Sequence, residues 1–198
     1  MKEEMKEYLL GIASLIWERR LSDTAGGNVS IRDGDIVCIT PRLMGYRFRW
    51  QISADDLVIC DLSGKILEGP DAMSREGTMH LSLYREFDQA NAVIHAHPYW
   101  TNVFVAKARP IVPVLETTQK FGTIKCVKEA HGYSEELAEN VLAHFKGKKK
   151  QWEKTPLMAL LPHHGIVAMG RDMNACFDVV DRIESECRCQ LLGKLLDL

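Results

Sequence analysis

Two histidines one residue apart close an apolar run, Asn91-Ala-Val-Ile-His95-Ala-His97-Pro98. In an extended strand residues i and i+2 project to the same side, so the two imidazoles share a face and make half of a metal site. A zinc ion takes about four nitrogen, sulfur or carboxylate ligands, so further donors have to come from elsewhere in the chain. Two places offer them: the His163-His164-Gly165 turn after the apolar run 157–161, and Glu76 in Ser74-Arg75-Glu76-Gly77, ahead of a helical pattern. Each is weak alone. A His-His-Gly turn can serve as backbone punctuation, and a glutamate at a helix start is commonplace because its charge suits the helix dipole.

These side chains need elements to carry them. Met5, Tyr8, Leu9, Ile12, Leu15 and Ile16 recur at helical spacing, which predicts an amphipathic helix over the first twenty residues that stops before Ser22. From Ala25 the pattern turns to short extended runs. Segments 29–32 and 35–40 flank Asp33-Gly34 as a hairpin, and 57–61 and 65–67 flank Ser63-Gly64 as a second. Met79, Leu83, Tyr84 and Phe87 predict a helix with Ser74 as N-cap and Glu76 in its first turn. Strand 91–97 comes next, then short apolar runs at 111–115, 123–127, 157–161 and 166–169 that read as strands, with a helix from about 134 to 145 inserted. Cys176, Val179, Val180, Ile183, Cys187 and Leu191 line one face of a long final helix. The pattern predicts an α/β fold of the α+β type, a mainly antiparallel central sheet flanked by helices.

At 198 residues without a linker the expectation is a single domain, 1–198. The net charge of -2 lacks the concentrated positive field that nucleic acid or an anionic membrane would require, so neither is an expected partner. The run Lys146-Gly147-Lys148-Lys149-Lys150 reads as a solvated loop. Six cysteines show no Cys-x-x-Cys spacing and sit mostly in apolar segments, as free buried thiols do. With no signal-peptide core and no span-length apolar stretch, a soluble cytoplasmic protein with reduced thiols is expected.

Taken together, the motifs resemble the class II aldolase/adducin family over nearly the whole chain and in the family's order. Gly26-Gly27-Asn28-Val29-Ser30 is similar to its glycine-asparagine phosphate loop, and Ile39-Thr40-Pro41 to the segment that completes it. Ser74-Arg75-Glu76 matches the serine-x-glutamate position, His95-Ala-His97 the paired ligands, and Leu161-Pro162-His163-His164-Gly165 the turn with the third ligand. Within the family the fuculose 1-phosphate aldolase pattern, with its doubled histidine before glycine, is the nearest. The resemblance implies His95, His97, His164 and Glu76 as metal ligands, with Glu76 also the catalytic base. It implies a phosphate site of Gly27, Asn28, Thr40, Ser74 and Arg75. His163 is then a neighbour, His80 a packing or hydrogen-bonding residue of its helix, and His131 and His144 surface residues.

The activity that the resemblance implies is that of a zinc-dependent aldolase. A ketose 1-phosphate would chelate the metal, which stabilises an enediolate as the carbon–carbon bond breaks to give dihydroxyacetone phosphate and an aldehyde. Related reactions of the family stay open: 4-epimerisation, decarboxylation and dehydration. An adducin-like scaffold is disfavoured because all three histidines and the glutamate are present. Imidazole and carboxylate ligands also suit manganese, iron, cobalt or nickel. A homotetramer of fourfold cyclic symmetry, with sites at subunit boundaries, is implied as well.

The chain also departs from the family. The segment Thr40-Pro41-Arg42-Leu43-Met44-Gly45-Tyr46-Arg47 is longer than its counterpart, and Arg75 stands in place of a second serine, suiting phosphate or a carboxylate as Arg42 also would. No tyrosine occurs in 114–118, where the family's proton donor from a neighbouring subunit lies, so Glu116 is the candidate acid, with Tyr133 or water as alternatives. The chain ends at Leu198 soon after its final helix, and the expectation is a pocket open to a small aldehyde such as lactaldehyde, acetaldehyde or glycolaldehyde.

Overall fold

The computed structural model describes residues 2–197. Helix α1 (Lys2–Glu18) buries Leu9, Ile12, Ala13 and Ile16 on one stripe. It ends where Arg20 turns left-handed and the Leu21 N–H reaches back to the Ile16 carbonyl at 2.8 Å. Strands β1 (Asn28–Asp33) and β2 (Ile36–Ile39) form the first hairpin, with Asp33 paired to Ile36 and Gly34 at a φ of 59° in the turn. Strands β3 (Val58–Asp61) and β4 (Ile66–Glu68) form the second, its turn held by the Asp61 carboxylate, which accepts from the Ser63 and Lys65 N–H groups. Helix α2 (Gly77–Glu86) leads to strand β5 (Ala92–Ala96).

After β5 come two short helices, α3 (Thr101–Val105) and α4 (Glu116–Gln119), then α5 (Glu135–Lys146) and α6 (Lys149–Trp152). The chain returns through β6 (Leu157–Leu161) and β7 (Gly165–Gly170) to α7 (Met173–Gly193). The strands make one seven-stranded sheet in the order β4-β3-β2-β1-β5-β7-β6, and every neighbouring pair is antiparallel.

Both faces of the sheet are covered, so its central strands read as unbroken apolar runs rather than alternating ones. Ile94, Ile166 and Ala168 point to the side of α1 and α7, where they meet Leu9, Ile16, Val180 and Ile183. Val93, Val167 and Met169 point to the side of α2 and α5, against Leu83, Tyr84, Val141 and Phe145. Each fully buried aliphatic side chain contributes about 1.5–3 kcal/mol by leaving water. The alternation also places His95, like Val93, on the α2 side, which is where Glu76 arrives.

Several sequence expectations are corrected. Segments 111–115 and 123–127 are not strands: they make only the isolated bridges Ile111–Ile124 and Cys126–Leu160. Pro113 has no N–H, and the Val114 and Leu115 N–H groups bond to the Glu186 carboxylate at 3.0 Å, so no ladder can form there. Residues 125–127 instead cover the outer edge of β6, through Val127 N–H to Leu160 and Leu160 N–H to Lys125. Ser74 is not the N-cap of α2; Glu76 occupies that position, and the Ser74 hydroxyl accepts from the Glu76 N–H at 3.3 Å. His144 is half-buried rather than on the surface, and burial, with Lys148 and Lys125 nearby, pushes it down to about 4. Within the basic run, Lys146 and Lys149 pair with Glu86 at 2.9 and 3.0 Å. All six cysteines are free; Cys38, Cys60, Cys176 and Cys187 are buried. No helix among the described residues is long and apolar enough to cross a membrane.

Candidate active site

The central position of β5 assembles the site. Its register sets His95 opposite Asn28 of β1 on one side and Val167 of β7 on the other. The strand ends at Ala96; the His97 N–H then goes to the Ser22 hydroxyl at 3.3 Å instead of a neighbouring strand. His164 comes from the β6–β7 turn, where Pro162 takes the second position, His163 the third with a φ of 60°, and the His164 N–H closes on the Leu161 carbonyl at 3.0 Å. That is the type II pattern, and it sends His164 inward while His163 stays exposed.

Three imidazoles thereby converge, with one ligating atom from each of His95, His97 and His164 all within 4.8 Å of one another. The carboxylate of Glu76, buried at 3% exposure, completes the group: Oε2 lies 3.0 Å from Nε2 of His95 and Oε1 3.5 Å from Nε2 of His164. Nδ1 of His95 faces the Ile166 carbonyl at 2.8 Å, and a carbonyl only accepts, so the proton is on Nδ1 and Nε2 carries a lone pair. The Asp23 carboxylate at 3.0 Å from Nδ1 of His97 sets the same tautomer there. The two Nε2 atoms then oppose each other at 3.2 Å beside a carboxylate oxygen.

Such an arrangement concentrates lone pairs that repel unless a cation lies among them. Burial and the neighbouring His97 and His164 hold His95 well below its ordinary value, and burial followed by His97 pushes His164 down to about 4, so these rings are neutral donors. Glu76 is raised by burial, against the bond from Asn28 and the charges of His97 and Arg75. Oε1 of Glu76 and Nδ1 of His164 are buried without hydrogen-bond partners. The residues therefore fit a divalent metal by number, type and protonation state.

Beside this group opens a cleft lined by Gly26, Gly27, Asn28, Ser74, Arg75 and Tyr133, together with Pro41 and residues 43–46. Gly27 has a φ of 99°, and a β-carbon there would overlap the Trp50 ring. Asn28 donates to Glu76 Oε2 at 2.8 Å, and its own Oδ1 is unpartnered. Thr40, expected in the phosphate site, is fully buried and outside the cleft lining, and its hydroxyl accepts the Val29 N–H at 3.1 Å. The longer segment after it is a π-turn, Met44–Phe48, bracketed by the left-handed Leu43 and Arg49. Arg42 is exposed outside the cleft lining. Glu116 lies on exposed α4 and lines no part of the cleft. His80 is fully buried, with Nδ1 on the Ser30 hydroxyl at 2.7 Å.

Sequence reasoning missed Asp23 altogether. A carboxylate in the turn that follows α1, facing a histidine, is the only signal, and it needs the fold to be seen. The antiparallel sheet with its flanking helices matches the class II aldolase fold, and that family is one of lyases. The chain belongs to the Class II Aldolase and Adducin N-terminal domain family, whose sequence profile matches residues 7–191. It is 32% identical over 176 residues to an L-fuculose phosphate aldolase of Methanococcus maripaludis, covering 87% of this chain and 88% of the relative. A 5-deoxy-D-ribulose 1-phosphate aldolase of Bacillus thuringiensis is 25% identical, over 92% and 82% of the two chains. A solved L-fuculose 1-phosphate aldolase superposes with a TM-score of 0.83 at 26% identity, covering 98% of this chain and 87% of that one.

Proposed function

We propose that this chain is a zinc-dependent aldolase that reversibly cleaves a ketose 1-phosphate, fuculose- or deoxyribulose-like, to dihydroxyacetone phosphate and an aldehyde. The observation that carries the reading is the buried Glu76 carboxylate, whose Oε1 has no hydrogen-bond partner beside three converging imidazoles. His95, His97, His164 and Glu76 would hold the metal. A bound divalent cation supplies a Lewis acid for the negative charge that develops on oxygen when the carbon–carbon bond breaks.

This chain's own residues do the rest. Glu76 takes and returns a proton at Oε1 while Asn28 fixes Oε2 by its hydrogen bond, so the base is aimed before substrate arrives. Gly27 lets the backbone approach an anion closely, and Ser74 and Arg75 extend polar groups into the same cleft, which suits the phosphate. Asn28 serves both ends of the site. Thr40 acts behind this wall by holding β1 in place. Glu116 is the proposed proton donor, acting from one copy on the site of the next in a homotetramer of fourfold cyclic symmetry. Exposed Val112 and Val114 flank it on a surface that a second copy would cover. We place the enzyme in the cytoplasm as one domain, 1–198.

The test is exchange of the hydroxymethyl protons of dihydroxyacetone phosphate in deuterated water. Fast exchange in zinc-loaded protein, lost on chelation and in Glu76→Gln, is the expected result. Folded, zinc-loaded protein without exchange would turn the assignment to epimerisation, decarboxylation or dehydration.

A further inference from the structure

Tyr133 sits where its backbone resists it. Its φ is 67°, in the left-handed region where a β-carbon crowds the following carbonyl. The loop on either side is pinned. Ser134 caps α5, accepting the Leu137 N–H at 3.1 Å and donating to the His131 carbonyl at 2.6 Å. Gly132 rests on the ring of His164, where a β-carbon would come within 3.2 Å of Cε1. Strain that the surroundings over-determine in this way points to a use for the side chain it positions.

The use is visible in what the ring touches. Cζ of Arg75 lies 3.6 Å from the Tyr133 ring centroid, a distance reached only from above the ring face, because the ring's own width keeps an edge approach farther out. The ring also meets His164 at 5.9 Å between centroids, at 72°. A guanidinium that approaches over a ring face keeps its N–H donors available for a second partner, and among the described residues no hydrogen bond or ion pair engages those of Arg75. Both residues line the cleft with Gly27, Asn28 and Ser74.

We propose that Tyr133 is a positioning residue for Arg75, its ring holding the guanidinium at the cleft wall so that the N–H fork meets the phosphate of the substrate. This rests on the reading of the cleft as the phosphate site, and it assigns the role of the missing second serine to an arginine–tyrosine pair. An arginine without the ring would sample many rotamers and lose affinity; a lysine would keep the charge but lose the planar stack.

The test is calorimetric titration of the full-length, zinc-loaded protein with inorganic phosphate at low salt. Tyr133→Asn and Tyr133→Gly both accept a left-handed backbone and remove the ring, so each is expected to weaken phosphate binding by about three- to tenfold. Tyr133→Phe, which keeps the ring face, is expected to bind as wild type does. Arg75→Ala is expected to lose affinity too, and adding Tyr133→Asn to it should cost nothing more. Additive losses in the double variant would assign Tyr133 a general structural role and overturn the proposal. So would wild-type affinity in Tyr133→Asn, or an equal loss in Tyr133→Phe. If wild type itself fails to bind phosphate, the cleft reading falls and takes this proposal with it; binding that depends on Arg75 but not on Tyr133 removes this proposal alone.

Discussion

His97 owes its direction to Asp23, whose carboxylate lies 3.0 Å from Nδ1. Without the carboxylate at Nδ1 the ring can turn or change tautomer, and Nε2 no longer faces His95. Asp23→Ala is expected to weaken metal binding by about 10- to 100-fold in a chelator competition, while His163→Ala, on the exposed side of its turn, leaves affinity at the wild-type level. Equal losses in the two variants would refute this account. Gly27 makes a steric prediction. An added β-carbon would overlap Trp50, which is itself fixed by its Nε1 bond to the Asp23 carbonyl at 3.0 Å, so Gly27→Ala should cost about 2–4 kcal/mol, read as a lower thermal midpoint. The histidines were legible in the sequence because pairing and doubling of a rare residue type is a signal in itself, whereas Glu76, a commonplace glutamate at a helix start, gained its role only through the family resemblance. Asp23 and the pairing of Tyr133 with Arg75 were not, since a lone residue in a turn gains meaning only from what the fold brings to it. Spacing likewise cannot say that the Thr40 hydroxyl turns to the Val29 N–H behind the cleft.

At the scale of elements, α7 fastens the loops that follow β5 through two buried glutamates. Glu184 accepts the Trp100 and Thr101 N–H groups at 2.8 Å and the Thr101 hydroxyl at 2.7 Å, holding the start of α3. Glu186 accepts Val114 and Leu115 N–H and the Thr118 hydroxyl, holding α4. Their pH responses have opposite signs. Burial raises Glu184, only partly opposed by those hydrogen bonds, so its contribution is full below its ordinary 4.5 and is lost as pH rises through the raised value. For Glu186 burial is outweighed by Thr118, Gln190 and the Leu115 and Val114 N–H groups. Its contribution is present above 4.5 and is lost as pH falls through the lowered value. Thermal midpoints followed from about pH 7 to about pH 3.5 should therefore show Glu186→Gln gaining on wild type and Glu184→Gln falling behind it. Parallel curves would mean that neither carboxylate titrates with folding. Periodicity made α1, α2, β5 and α7 legible because each buries one long stripe or a whole strand. The 111–127 region misled because its apolar residues pack under loops whose N–H groups are taken by a side chain on a helix some seventy residues away.

At the scale of the whole molecule, the proposed acid and the proposed base are not brought together within one chain. Glu76 is buried against the histidines, whereas Glu116 stands exposed on α4, fastened to α7 by Glu186 and outside the cleft. If Glu116 serves the neighbouring copy, two variants each disabled at one end should repair each other. Glu76→Gln would lack a base in its own site but lend a sound Glu116, and Glu116→Gln would do the reverse. When equal amounts are unfolded and refolded together, a site in a fourfold ring is whole only where the two kinds of subunit meet in the right order, so about a quarter of wild-type turnover should return. Light scattering should give four times the 22.4 kDa of one chain for each variant and for the mixture. A tetramer that regains nothing on mixing would show that Glu116 is not the acid donated across the boundary, and a monomer as active as any larger species would refute the shared site altogether.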